Sequence, residues 1–438
     1  MSESSQQSSN LEDEGYKLNL RRILVDKIRT VSETLAILHQ NHHPVGIERQ
    51  LNQLKTSDFG GKVIFSNDPK TATVPPAFFT VQTIQELKVL GGIPDSEYGP
   101  GGMEPHHPLP EPFSAERLAD VTGNHIDLCK AFRAYIYGDS ALVKDYEEML
   151  NAKRFPMKVA LYSGERITIT ADNPLIIEDK DNYGEPVVLV YDEIIIEPGG
   201  QIIYRTNGRI EANTLVGNGS DQKPSIISKG DDRGDGFDGE TGCDGSNGRD
   251  GAAGIENKYG CVVEPTAGSD ATDGSSGGLG GGGRDGGDAN DIVINVQLVT
   301  GAVNVESMGG NAGNGGNGGN GGNGGIGGNG GNKTGKSRAG RAGNGGNGGD
   351  GGDAGNGGKG GDSGNVYINF LGGRPVMNAQ SYSGNGGKGG KGGKGGKGGK
   401  GGVGNSSQLG VSGRDGIDGK LGGAGVVGKI YINGNVQN

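Results

Sequence analysis

Between Gly309 and Asn332 the chain reads GGNAGNGGNGGNGGNGGIGGNGGN, and related triplet tracts return at Gly343–Gly364 and Gly384–Gly402. Glycine at two of every three positions, held in strict register, leaves few ordered options. The conformation with a three-residue period is the left-handed polyproline-II type, with three residues per turn and about 3.1 Å rise per residue. Each residue class then forms its own edge, two of bare glycine and one of Asn, Lys or Asp. An isolated strand of this kind makes no internal hydrogen bonds and costs about 1–2 kcal/mol of backbone entropy per residue to order. Order therefore requires neighbouring tracts, close-packed along their glycine edges and hydrogen-bonded sideways. The sequence predicts a polyglycine-II bundle of this kind.

Glycine supplies 94 of 438 residues, against a usual share of about 7%. Most of it follows residue 200, and this shift is the sharpest boundary in the chain. Collagen is excluded because only Pro224, Pro265 and Pro375 occur beyond residue 200. Hydrophobic residues make up 31%, aromatics 5%, and Trp is absent, so one oily core cannot serve the whole chain. The three cysteines, Cys129, Cys243 and Cys261, have no framework spacing, although a Cys243–Cys261 bridge could close one glycine-rich excursion. The N-terminal residues MSESSQQSSNLEDEG lack an apolar segment of the secretory kind, and no apolar run approaches 18 residues. The expectation is synthesis in the cytoplasm without a secretory signal, association with a particle or release by another route, and no membrane span.

Residues 1–15 read as a disordered tail and residues 16–155 as a mostly helical attachment or oligomerisation domain. Leu20, Leu24, Ile28, Val31, Leu35 and Leu38 form an amphipathic seam, which serves either a helix packed on its own domain or a docking helix. Residues 56–112 read as loop-rich, with Gly99–Pro112 a linker. Helices are predicted over Ala115–Val121 behind Ser114, over His125–Tyr137 and over Ser140–Lys153. From 156 to 229 the short β-branched runs Val159–Tyr162, Ile167–Thr170, Leu175–Glu178, Val187–Tyr191, Glu193–Glu197 and Gln201–Tyr204 predict a strand meander or short β-solenoid. From 230 to 438 the glycine tracts alternate with copies of one strand: Asn290–Asn295, Gly364–Asn369 and Gly428–Asn433. The predicted architecture is thus a helical N-terminal domain, a β spine, and glycine-rich hairpins projecting from it. A 24-residue tract would reach about 75 Å. Segments such as Lys333–Ala342 break the rhythm and are the turns.

Lys388, Lys391, Lys394, Lys397 and Lys400 fall on one edge about 9 Å apart, close to a Debye length in physiological salt. They either pair with acidic neighbours such as Asp350, Asp353 or Asp362, or form a positive strip for an anionic polymer or cell-surface glycan. Nucleic acid fits poorly, because no aromatic residues are interleaved to stack on bases. Asn314, Asn317, Asn320, Asn323, Asn329 and Asn332 form an Asn ladder, with Ile326 taking one place in register. Their amides either bond along the edge and stiffen it, or present a polar lattice to a ligand or to ice. Arg233-Gly234-Asp235 is an integrin-like tripeptide that arises easily in such a segment. No cofactor is implied. Asp231, Asp232, Asp235 and Asp238 could hold Ca²⁺, but they lack the ordered spacing of a calcium loop, and no other metal site is predicted. His42-His43 and His106-His107 read as loop histidines. No G-x-S-x-G, HExxH or phosphate loop in a strand-to-helix setting occurs, so no enzymatic activity is expected.

Across about residues 230–430 the GGN, GGK and GxxG repeats resemble two groups of proteins, the distal adhesins of bacteriophage tail fibres and, more distantly, the springtail antifreeze proteins. The first resemblance implies an N-terminal attachment domain and a tip whose turns bind a surface receptor. This chain departs from it in the polar turns KTGKSRAGRA and NSSQ. The second implies ice binding on flat faces of small or Thr residues, whereas this chain displays Lys and Asn edges. The expected function is therefore a non-enzymatic adhesin or receptor-binding protein. The alternatives are a self-assembling fibre or protective layer, an ice-binding protein, and a toxin with a binding bundle. A homo-oligomer or particle is expected to form through residues 16–155.

Overall fold

The computed structural model describes residues 28–99, 102–105, 109–181, 184–218 and 223–437. Its organising element is one 14-stranded, mostly parallel sheet. Three short N-terminal strands, β1 (Gln53–Lys55), β2 (Val63–Ser66) and β3 (Ala77–Val81), join it. The runs after Pro156 supply β4 (Met157–Ile169), β5 (Leu175–Glu178), β6 (Val187–Ile196), β7 (Ile202–Tyr204), β8 (Gly208–Asn218) and β9 (Ile226–Lys229). A separate hairpin is formed by β10 (Ile255–Asn257) and β11 (Gly260–Val263). The three strand copies lie in β12 (Ile292–Met308), β13 (Val366–Gly373) and β15 (Ile430–Ile432), and β14 (Val376–Tyr382) and β16 (Asn435–Gln437) complete the set.

The long strand β12 belongs to two arms of the sheet. Its first half pairs with β8 and β13, in line with β4, β6 and β15; its second half pairs with β9 and β14, in line with β7, β5 and β2. The chain bends between the arms at glycine. Gly301 has φ +76°, and a Cβ there would sit 1.9 Å from the Gly217 carbonyl oxygen, so no other residue fits that corner. Isoleucine, valine and leucine alternating along both arms fill the space between them: Ile167, Ile194, Ile210, Ile294 and Val366 are fully buried with Phe65, Tyr162 and Tyr204.

The helical residues form a thin layer on the outer face of the first arm. Helix α1 (Val31–His42) opens on a Thr30/Glu33 capping box. Helices α2 (Ile84–Gly91), α3 (Ala115–Leu118), α4 (Ile126–Tyr137) and α5 (Glu147–Arg154) follow, the last after a 3₁₀ segment, Ser140–Tyr146. Leu128, Phe132, Tyr135 and Ile136 of α4 join one buried cluster with sheet residues Val188, Val190, Val293, Tyr367 and Tyr431.

This corrects the expected class. The chain is not a helical N-terminal domain followed by a short strand spine and a polyglycine-II bundle. A large parallel sheet organises it, and its N-terminal residues are mixed α/β and hydrogen-bonded into that sheet. The loop-rich reading of 56–112 likewise gives way to β2, β3 and α2. Single short strands carry too little periodicity to be recognised when their partner lies far along the chain, 84 residues for Ala77 and Leu161 in the β3–β4 pair. Leu20, Leu24, the 1–15 tail and His106-His107 lie outside the described residues. Among the described residues, no helix is long and apolar enough to cross a membrane.

Candidate binding surface

Six glycine-rich tracts connect the strands: 231–254, 265–289, 309–332, 340–364, 384–402 and 408–428. Tracts one, three and five leave the second-arm strands β9, β12 and β14, whereas two, four and six return to β12, β13 and β15 of the first arm. No helix or strand is assigned in them, yet their backbones are bonded at every third residue. The third tract is antiparallel to the second (Gly319 N to Gly278 O, 2.9 Å) and to the fourth (Gly352 N to Gly319 O, 2.8 Å). It runs parallel to the first (Gly239 N to Asn317 O, 2.7 Å) and to the fifth (Gly318 N to Lys391 O, 2.8 Å). The six tracts therefore build a slab two rows thick, odd-numbered tracts in one row and even-numbered in the other.

The sheet sets the register of the slab. Strands β12 and β14 pair Met308 with Tyr382, and the following tracts keep that 74-residue offset, Asn311 beside Asn385. The 79-residue offset between β9 and β12 continues from Asp232 to Asn311. The other row behaves alike: 74 residues from Asp270 to Asn344 and 64 from Asn344 to Gln408, as in β12–β13 and β13–β15. Close approach requires glycine. A Cβ on Gly319 would lie 1.9 Å from the Glu240 carbonyl oxygen.

The third residue of each triplet has a specific task. Oδ1 of Asp235, Asp238, Asp244 and Asp250 accepts the amide hydrogens of Asn314, Asn317, Asn323 and Asn329 at 2.6–2.7 Å. In turn, Oδ1 of Asn314, Asn317, Asn320, Asn323 and Asn329 accepts from the amides of Lys388, Lys391, Lys394, Lys397 and Val403. The Asn ladder thus bonds across to the next tract and not along its own edge. Asn332 contributes its carbonyl oxygen to Gly254 N, and Ile326 stands half exposed where the relay is interrupted. In the third tract nearly every amide is satisfied, two per triplet by backbone and one by a side chain. The fifth tract ends its row and owes no acceptor to a further neighbour. Long side chains are allowed there, and five are lysine.

On the outer side of the fifth tract, Asp418, Asp415 and Ser412 cap the amides of Gly392, Gly395 and Gly398. Asp418 and Asp415 also bind Lys391 and Lys394 at 2.8 Å. These contacts hold both carboxyls below the usual carboxylate range, chiefly through the lysine hydrogen bonds and then through the glycine amides. The acidic partners are these aspartates of the sixth tract; the expected Asp350, Asp353 and Asp362 face Arg414, Ile417 and Val426 of their own row. Lys388, Lys397 and Lys400 make no ion pair among the described residues. On the opposite edge Thr266, Ser269, Thr272 and Ser275 cap first-tract amides.

The far end of the slab gathers the three turns. The β10–β11 hairpin, residues 333–339 and residues 403–407 lie side by side. Lys336 donates its amide to Glu256 Oε2 (3.1 Å) and its Nζ to the Asn257 and Lys258 carbonyls (2.9 Å each), and Arg341 bridges to Asn405. Tyr259 is 84% exposed and Val403 79%, with Ile255, Val262 and Val263 also exposed and the Lys258 ammonium over the Tyr259 ring. The sequence pointed to the second and third turns but not to this hairpin. Its signal, IENKYGCVV with Asn-Lys-Tyr-Gly between two β-branched ends, is present at Ile255–Val263.

The remaining candidates are structural or separate. Cys243 and Cys261 are free thiols, as is Cys129. Cys243 sits mid-tract beside Ser275, whereas Cys261 lies in the hairpin beyond that tract's end, out of bridging range. Arg233 and Asp235 of the RGD tripeptide are tied into the third tract by Asn311 and Asn314. Asp232, Asp235 and Asp238 each face a different amide, and no cluster of three or more metal-ligating side chains occurs among the described residues. His42 is buried, its Nδ1 3.1 Å from the Thr80 carbonyl. A search against family models, curated proteins and solved structures finds no match to this chain.

Proposed function

We propose that this chain is a non-enzymatic receptor-binding protein of the adhesin kind, in which the sheet is the base, the glycine slab a stiff spacer and the three-turn tip the contact surface. The observation that carries this reading is the tip itself. Three turns from distant parts of the sequence are tied into one surface that holds Tyr259, Val262 and Val403 in solvent. Exposed aromatic and branched residues on a rigid support are what a contact surface requires, since little entropy is lost when they bind. The slab supports the reading by its bonding, which leaves few amides of the central tracts unsatisfied.

The test is a cell-surface and glycan binding array probed with the full chain and with Tyr259→Ala/Val262→Ser. Binding should fall about tenfold or more, as for loss of an interface anchor, with the unfolding temperature unchanged. A ligand retained by this variant but lost on converting Lys388, Lys391, Lys394, Lys397 and Lys400 to Gln would move the contact to the lysine column. No ligand on any array would remove the adhesin reading.

A further inference from the structure

The outer face of the odd-numbered row carries a division of charge that the tip does not use. Its first column is Asp232, Asp235, Asp238, Thr241, Asp244, Asn247 and Asp250; its middle column is the Asn ladder; its third is Asn385, Lys388, Lys391, Lys394, Lys397, Lys400 and Val403. The registers place Asp235 level with Lys388, Asp238 with Lys391, and Asp244 with Lys397, on opposite sides of the same face. The even row has no such split, since Leu279, Val411 and Ile417 interrupt its outer columns.

We propose that this face is a homodimer interface, in which a second copy stacks on it about a two-fold axis running along the middle tract. Such an axis preserves the level of every residue and exchanges the first column with the third. Asp235 of each copy then meets Lys388 of the other, and Asp244 meets Lys397. Lys388 and Lys397 make no ion pair within the chain among the described residues, and each of these aspartates spends only Oδ1 on an amide, so Oδ2 is available. Lys391, shared with Asp418, adds a weaker pair to Asp238. Glycine between the columns keeps the face flat. It also continues the outer face of the second arm, where alternate residues of β14 are exposed and, among the described residues, none of this arm joins the buried cluster of the helices. Three tracts about 4.8 Å apart, rising about 3.1 Å per residue over the span Asp232–Asp250, give roughly 800 Å², matching about 800 Å² per partner in an ordinary stable interface.

The test is the mass of the full chain in solution by light scattering across a salt series, with zero-length carbodiimide crosslinking of a mixture of ¹⁵N-labelled and unlabelled protein. The expected result is a dimer at low salt that dissociates as salt rises. Asp235→Asn/Asp244→Asn keeps the amide acceptors of the slab, and Lys388→Gln/Lys397→Gln leaves the slab backbone alone. Each pair should weaken dimerisation about tenfold, since several individually weak exposed ion pairs are lost together. Mixed-isotope Asp235–Lys388 peptides should appear in the wild type. A monomeric wild type, a dimer insensitive to the aspartate variant, or crosslinks confined to one copy would each overturn the proposal.

Discussion

At the scale of single residues, the slab rests on two rules that follow from its spacing. Glycine stands wherever a neighbouring carbonyl comes too near for a Cβ, and a short acceptor stands at most places where the next tract's amide would otherwise be unbonded. Thr241 and Ile326 are the gaps in the odd row. Gly319 and Gly423 separate the first rule from mere composition. A Cβ on Gly319 meets backbone at 1.9 Å, while nothing lies within 4 Å of one on Gly423. Gly319→Ala should lower stability by about 1–3 kcal/mol, as in other overpacked sites, whereas Gly423→Ala should stay within about 0.5 kcal/mol. Equal effects in chemical denaturation would show that close packing is not what the glycines serve. The same rule explains why the lysines cluster. They occupy the column that owes nobody an acceptor, which the GGK repeat by itself does not reveal.

At the scale of elements, the joint between slab and sheet carries buried polar contacts. Asp291, at the entry to β12, is fully buried; it binds the Arg133 guanidinium of α4 at 3.2 Å and accepts the Asn365 amide at 2.9 Å. Burial works against the Arg133 charge, and the field of Asp291 and Asp288 restores it. Asp291→Ala leaves Asp288 as the remaining acidic partner of the buried Arg133 cation and should cost about 3–5 kcal/mol. Asp291→Asn, which keeps the acceptor for Asn365, should cost less. Comparison of the two denaturation midpoints checks the assignment, and equal losses would contradict it. Ser228, Ser307 and Ser381 form a second column at this joint, with Ser228 and Ser307 bonded to the Asn290 and Gly364 carbonyls. Some strands on either side of the joint were legible: β5 and β7 fall close to their predicted runs, β6 joins two of them, and the three strand copies are neighbours in the sheet, Ile292, Val366 and Ile430 in register. Repetition made the copies readable, since one apolar pattern recurs where neighbouring strands pair. Helix α3 was legible from its Ser114 cap, and α4 as the predicted His125–Tyr137 helix, for which His125 proves to be the N-cap.

At the scale of the whole molecule, order within the slab should grade from the centre outward. Nearly every amide of the third and fourth tracts has an acceptor, whereas the first and sixth tracts face solvent on one side. Hydrogen exchange should therefore be slowest in 309–332 and 340–364 and faster in 231–254 and 408–428. Uniformly fast exchange at random-coil rates would contradict a rigid spacer and with it the display role. The chain's own pattern determined that the glycine tracts, if ordered, must pack on one another, because a three-residue glycine period makes no hydrogen bonds within itself. It also marked the three strand copies that became parts of β12, β13 and β15, but not β10, β11, β14 or β16. Only the tertiary structure decided that a large parallel sheet, and not a helical domain, holds the assembly. It also decided that the sheet's offsets of 79, 74 and 64 residues run on into the tracts, and that acid and lysine columns share one face. The physical reason is distance along the chain: registers between segments more than sixty residues apart depend on which strands pair, and no local spacing encodes that choice.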